Sequence, residues 1–188
     1  SVPPKSQKNI MSFRVRLATQ YLKSGGVISH PTDTIQGLAC LPNFEQSMQR
    51  ILQLKRRSTN KGLILLASNV SYFANYVDDV SQLNKIKVSD TPTTYLLKAN
   101  QKTSKLLTGR FDTIAIRLTN DPLITKLCQA SNSALVSTSA NTSGKNSATS
   151  VLELNVFFKQ ELDFIITPQN YNNSPSKIIN LQTGERIR

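Results

Sequence analysis

The chain contains no tryptophan, and its aromatic content is only 6%. A stacking platform for nucleic-acid bases therefore has little to be built from. Cysteine is scarce as well. Cys40 and Cys128 form no Cys-x-x-Cys pair, and the chain has one histidine. That supply argues against a zinc site of the usual Cys/His type and fits a reducing, cytoplasmic setting. No apolar run approaches the ~20 residues that span a bilayer, so no membrane partner is expected. Ser1 to Asn9 is polar and has no apolar centre, so it does not read as a signal peptide. Acidic residues are few: 11 Asp and Glu stand against 23 Lys and Arg, a net charge of +12. Such a chain is attracted to polyanions, and a basic surface that merely keeps the protein soluble is the plainer reading.

What is present is enough for one folded domain. The 188 residues are 38% hydrophobic, which suits a single substantial core. Residues 1–11 read as a disordered N-terminal tail, and residues 12–188 as the domain. Ser12 is placed to cap a helix whose apolar positions are Phe13, Leu17, Ala18, Tyr21 and Leu22. Gly25-Gly26 ends it. Val27–His30 reads as a strand stopped by Pro31, followed by a polar cluster over 31–38. Asn43 is placed to cap a second helix with Phe44, Met48, Ile51 and Leu52 on its apolar face. Residues 62–67 form an apolar strand, and 71–88 one or two short helices. Residues 94–97 and 113–118 read as strands, with a turn over 106–112 between them. Asp121 and Pro122 open a helix over 122–131. A helix near 149–160, a strand over 163–167, a polar linker over 168–174 and a strand over 175–181 complete the chain. The expected fold is a mixed, twisted α/β sheet of parallel and antiparallel strands flanked by helices, with polar strand ends converging on one cleft.

Three stretches carry chemistry. Ala134–Gly144 opens as a buried strand and turns within two residues into hydroxyls, an amide and a glycine. Small groups at a sheet edge admit a ligand to the backbone, and the strand ends of open α/β sheets are where ligands bind. An ordinary polar loop has the same composition. The basic cluster Lys55–Lys61 lies between a helix and a core strand rather than on a free tail. Cations at a helix C-terminus are favourable in any protein, so a solvated helix end is the bland alternative. Arg117 stands in an otherwise apolar strand. A guanidinium there requires an anion, either a structural carboxylate or a ligand.

Five segments occur in a telling order: His30-Pro31-Thr32-Asp33-Thr34, Lys55-x-Arg57 with Lys61, Thr113–Arg117, Ser137–Gly144 and Pro175-Ser176. Each alone is weak. Together, over about residues 12–188, they resemble the threonylcarbamoyl-AMP synthase (YrdC-like, TsaC) family in its short single-domain bacterial form. That resemblance implies a YrdC-like catalytic domain with a concave basic cleft. It implies a nucleotidyltransferase that makes L-threonylcarbamoyladenylate from L-threonine, bicarbonate or CO2 and ATP. Pyrophosphate is released, and the product serves the threonylcarbamoyladenosine modification of tRNA. It also implies Mg2+ with the ATP, a face that binds tRNA or double-stranded RNA, and downstream threonylcarbamoyl-transfer proteins. A basic RNA-binding module of tRNA or ribosomal RNA maturation is the competing reading, and the related domain of hydrogenase maturation proteins a third.

The residue roles follow from the resemblance. Lys55, Arg57, Ser139 and Asn141 form the catalytic set. Arg57, Lys61, Thr113, Ser139, Asn141, Ser147 and Arg188 lie on the ATP side. Thr34, Leu66, Arg117, Ser137 and Ser176 surround the threonine, with Arg117 on its carboxylate. No His or Cys nucleophile is needed, since a carbamate is itself nucleophilic. His30 then reads as a wall residue rather than a base, and Asp33 either as a metal or water ligand or as a turn stabiliser. The chain departs from the family where His30 and Gln36 stand in place of common aromatics. A second departure is Ser89-Asp90-Thr91-Pro92, in place of a Trp-Pro-Gly-Pro run.

Overall fold

The computed structural model describes residues 5–32, 35–168 and 177–188, with side-chain burial described from residue 12 onward. Among these residues, eight strands form one sheet in the order β7-β1-β2-β6-β3-β5-β4-β8. They are β1 (Ile28–Pro31), β2 (Gln36–Cys40), β3 (Ile64–Ala67), β4 (Thr93–Lys98), β5 (Thr113–Leu118), β6 (Leu135–Ser139), β7 (Phe164–Ile165) and β8 (Lys177–Asn180). The β1–β7, β3–β5 and β4–β8 pairs are parallel. The β1–β2, β2–β6, β3–β6 and β4–β5 pairs are antiparallel. The sheet is therefore mixed, as expected.

The helices are α1 (Lys5–Lys23), α2 (Glu45–Lys55), α3 (Lys105–Thr108), α4 (Pro122–Ser131) and α5 (Val151–Phe158). In α1 the buried positions Val15, Ala18 and Leu22 recur at helical spacing. The face is rotated from the expected one, because Phe13 and Tyr21 stay exposed and Tyr21 stacks on Phe164. The helix also runs back to Lys5, so Ser12 lies within it rather than capping it. Asp121 caps α4 as expected, accepting from the Leu123 and Ile124 amides at 2.9 and 3.1 Å. Asn43 does not cap α2: Phe44 occupies the cap position, with no side-chain bond. Helices α1 and α4 pack on each other and on the sheet over the main core. A smaller core of Leu38, Ala140, Ala148, Leu154 and Phe158 lies under α5.

Two expectations change. The polar cluster over 31–38 is not one loop, because Gln36 begins a fully buried strand paired to β1 on one side and β6 on the other. The segment over 106–112 contains a single helical turn, α3, capped by the Ser104 hydroxyl accepting from the Leu106 amide. Residues 70–76 and 80–85 are 3-10 turns. The linker read over 168–174 and the Pro175-Ser176 start of the last strand lie outside the described residues beyond 168. The departing Ser89–Pro92 segment closes on itself: the Ser89 and Thr93 hydroxyls both donate to the Thr91 carbonyl. The Pro92 carbonyl accepts from Lys177 at the head of β8.

The segment between α2 and β3 is held tightly. The helix ends at Arg56, in the left-handed region at φ 52°, and the Arg57 amide donates back to the Leu52 carbonyl. Gly62 and Gly109 then meet backbone to backbone. A side chain at Gly109 would collide with the Asn60 carbonyl and lie 2.6 Å from the Gly62 nitrogen. Both glycines also have positive φ, 71° and 64°. Gly109→Ala should therefore destabilise the fold by about 2 kcal/mol or more, read as a lower urea midpoint. An unchanged midpoint would show that the two segments separate freely.

Candidate active site

Sheet register builds the site. Gly37 pairs with Ser139, Ile64 with Ser137, and Leu66 with Arg117. Directly paired residues share a face of the sheet, so Ser137, Ser139, Ile64, Leu66 and Arg117 look the same way. Ile114 and Ile116, one residue out of phase on β5, are fully buried in the main core instead. On the first face lies a cavity of about 500 Å3. Arg57, Leu66, Arg117, Ser137, Ser139, Asn141, Ser147 and Arg188 all line it. These residues come from three strands or their ends, β3, β5 and β6, from the segment just after α2, and from the chain's last residue. Arg188 is pinned by backbone bonds between its segment and Ile178 of β8.

Lys55 lies beneath this cavity. The last residue of α2, it is 1% exposed. Its Nζ donates to the Ser139 carbonyl, the Asn141 carbonyl at 3.0 Å and the Asn141 Oδ1 at 2.6 Å, with the Ser139 Oγ at 3.3 Å. Four oxygens around one nitrogen suit an ammonium, which has three protons to give and no lone pair. Burial, with a smaller contribution from Arg57, pulls the Lys55 pKa down to about 7. The Ser139 hydroxyl donates to Asn141 Oδ1 at 2.6 Å, and the Asn141 amide donates to the Lys145 carbonyl at 2.6 Å. The Ser143 amide closes back on the Lys55 carbonyl at 2.8 Å. Lysine, serine and asparagine therefore form one unit that shapes the loop after β6.

Arg57 leaves the helix end with its Nε donating to the Gly62 carbonyl at 3.2 Å. Burial lowers its pKa, yet a guanidinium stays charged. Of the lining side chains described, Arg57, Arg117, Lys145 and Arg188 are cationic and none is a carboxylate. The cavity is thus furnished to receive anions, with Arg57 able to grip a phosphate in two places.

Two expected residues are not brought together with this group. Lys61 is exposed in the 3-10 turn of residues 59–61 and does not line the cavity, nor does Thr113 at the start of β5. Thr34 and Ser176 lie outside the described residues, as does Asp33. Sequence reasoning missed Lys145, which the post-β6 turn carries to the rim, and Thr32, whose hydroxyl donates to the Ile35 carbonyl at 2.6 Å. Their only signal was membership of the polar stretches. Among the described residues no group of three or more His, Cys, Asp or Glu could hold a metal ion, and no helix is long and apolar enough to cross a membrane.

The lowered Lys55 pKa has a sign that can be tested. The unfolded chain keeps the Lys55 proton up to about pH 10.5, whereas the folded chain releases it near pH 7. Between those values the unfolded state binds more protons, so folding stability rises with pH. Urea unfolding at pH 7 and pH 10 should show wild type gaining on Lys55→Met across that interval. Parallel curves would mean that the four oxygens hold the proton as firmly as water does.

The family model described as "Sua5_yciO_yrdC: Telomere recombination" matches residues 20–188. The threonylcarbamoyl-AMP synthase of Nitrosococcus oceani is 38% identical over 181 residues, covering 94% of this chain and 98% of that protein. The one from Pseudoalteromonas translucida is 37% identical, covering 93% and 96%. Among solved structures, P. abyssi Sua5 complexed with L-threonine superposes with a TM-score of 0.80 at 25% identity. That likeness covers 90% of this chain but only 51% of the P. abyssi protein, so the chain spans about half its length. E. coli YciO shares the fold, with a TM-score of 0.77 at 24% identity over 93% of this chain and 87% of that one. The eight-stranded sheet, the cavity at its centre and these likenesses agree: the chain belongs to the Sua5/YciO/YrdC family.

Proposed function

We propose that this protein is a threonylcarbamoyl-AMP synthase, joining L-threonine, bicarbonate or CO2 and ATP and releasing pyrophosphate, for threonylcarbamoyladenosine modification of tRNA. The observation that carries the reading is the convergence on one cavity of cationic side chains with the Lys55–Ser139–Asn141 unit. Its relatives' name supports the reaction.

The neutral amine of threonine adds to CO2 and releases one proton to solvent, giving a carbamate. A carbamate oxygen then attacks the α-phosphorus of ATP. The bond from that phosphorus to the bridging oxygen breaks, and pyrophosphate leaves with the electron pair. Two anions must approach each other, and negative charge gathers on the phosphates. Arg57 and Arg188 stand on the cavity wall where cations are needed for this, and Lys145 adds a third. Arg117, buried beside Leu66 and Thr94, receives the threonine carboxylate. Ser137 sits two strands away, on β6 beyond β3, on the same face. Ser139, Asn141 and Ser147 hold the nucleotide. Lys55 acts through Ser139 and Asn141 and keeps their geometry fixed during the reaction. Mg2+ carried by the phosphates of ATP would supply charge that relieves their repulsion.

The net charge of +12 supports contact with tRNA, whose backbone is a polyanion. The adenylate product is an activated mixed anhydride, so a transfer protein takes it up for delivery to tRNA. Both cysteines are free and buried, which supports a reducing, cytoplasmic setting.

Pyrophosphate release should require both L-threonine and bicarbonate, with L-serine a poorer substrate. Release independent of threonine would overturn the assignment. Arg57→Ala should lower kcat by about 10²-fold, the scale for removing one donor to developing charge. Lys55→Ala should nearly abolish turnover while leaving tRNA retention in a filter assay close to wild type. Loss of tRNA retention with turnover intact would favour the RNA-binding module instead.

A further inference from the structure

His30 is the chain's only histidine, is fully buried, and takes no part in the reaction as described. It lies on β1 opposite Gly37 of β2, and Gly37 lies opposite Ser139 of β6. Paired residues share a face, so the imidazole is on the cavity side of the sheet. Gly37 makes its position possible. A Cβ at Gly37 would stand 3.2 Å from His30 Nε2 and 3.3 Å from its Cε1, so the ring lies across the bare backbone of β2. Crossing β2 in this way, the ring brings Nε2 to 3.5 Å from the Ser137 hydroxyl.

The two ring nitrogens have distinct partners. Nδ1 lies 3.1 Å from the Pro31 carbonyl. A carbonyl can only accept, so Nδ1 carries the proton. Burial favours the neutral ring, lowering its pKa against the opposing pull of the Pro31 carbonyl and Asp121, with Arg117 acting in the same direction as burial. In a neutral ring with Nδ1 protonated, Nε2 can only accept. Among the described residues Ser137 Oγ lies 3.5 Å from Nε2, and a hydrogen bond between them requires the hydroxyl to donate. A hydroxyl has one proton and two lone pairs. With its proton directed at His30, Ser137 meets the cavity as an acceptor.

We infer that His30 is a positioning residue that turns Ser137 into a hydrogen-bond acceptor, so that the pocket reads the N–H of an α-amino acid while Arg117 reads its carboxylate. This rests on the synthase reading above. An acceptor also suits the chemistry on both sides of the first step, because the amine keeps an N–H donor when it becomes a carbamate. A Ser137 free to rotate would offer its proton or its lone pairs to any ligand. His30 removes that choice. The 3.5 Å separation is long, and contact with an N–H donor would strengthen the hydroxyl as a donor toward Nε2.

Two measurements test this. The first uses wild-type protein labelled with 15N-histidine. A single histidine gives a single imidazole, and its Nε2 should resonate as an unprotonated, pyridine-like nitrogen with Nδ1 protonated. An Nε2–H tautomer overturns the inference, and this result needs no variant to fold.

The second is steady-state pyrophosphate release with threonine and ATP varied separately. His30→Phe should raise the KM for L-threonine by about fivefold, the scale of one hydrogen bond, and leave the KM for ATP within about twofold. His30→Gln, whose amide oxygen can accept from Ser137, should restore most of the loss. In a Ser137→Ala background, His30→Phe should have no further effect on the threonine KM. Equal changes for both substrates, or a His30 effect undiminished without the Ser137 hydroxyl, would make His30 a filler of the fold and nothing more. Wild-type release that ignores threonine defeats the synthase reading itself. Wild-type release that depends on threonine, with no His30 effect, defeats only this inference.

Discussion

A buried ammonium organises this molecule's centre. Lys55 ends α2 with its charge inside the protein, where an unpartnered cation costs several kcal/mol. Its stability there depends on the carbonyls and side chains of Ser139 and Asn141 pointing inward together. Those residues sit where β6 gives way to the Ser-Ala-Asn-Thr-Ser-Gly turn. One constraint thus joins the end of a helix to the end of a strand more than eighty residues away. The turn takes its shape from that join, and Lys145, Asn146 and Ser147 reach the cavity wall as a consequence.

The sheet order does the rest. β6 lies between β2 and β3, and β5 lies beyond β3. The hydroxyls of β6 therefore share a face with Leu66 and Arg117, which come from distant parts of the chain. Glycine sets how close neighbours come. Gly37 leaves room for an imidazole, and Gly62 and Gly109 let two backbone segments touch behind Arg57. Along β1 and β2 this chain buries polar groups with specific partners. Gln36 donates to Ser29 Oγ at 2.9 Å and to the Ile166 carbonyl at 3.1 Å, and His30 bridges Pro31 and Ser137. Each buried donor requires an acceptor, so these groups tie β1, β2, β6 and the end of β7 together by direction rather than by bulk.

Much of this was legible in the residues. The mixed α/β sheet followed from apolar runs and helical spacing, and the cap at Asp121-Pro122 was read correctly because capping is local chemistry. Part of the cavity lining was legible, because Ser139, Asn141 and Ser147 lie in the polar stretch at and after the end of β6. Less legible was β2. Gln36–Cys40 has no alternation, since it is buried on both faces, and its partners β1 and β6 become evident only on pairing. The α1 face was rotated because Phe13 and Tyr21 look like core residues by composition, while packing on α4 selected Val15, Ala18 and Leu22. Lys61 shares a basic cluster with Arg57, but the left-handed residue Arg56 sends Arg57 inward, and the 3-10 turn of residues 59–61 leaves Lys61 in solvent.

The sequence by itself determined which chemistry is available: cations, hydroxyls and an amide for anionic ligands, with little aromatic or thiol chemistry. It also determined where strands and helices nucleate, because those depend on neighbours within a few residues. Only the tertiary structure decided which of these groups meet. Lys55 looked like a cation on a helix end and proved to be a buried strut, and His30 looked like a wall residue and proved to touch the cavity's serine. The reason is physical. Burial and strand register are set by contacts between residues far apart in the chain. Such contacts alone determine whether a charge faces water or four oxygens, and whether a hydroxyl gives its proton or receives one.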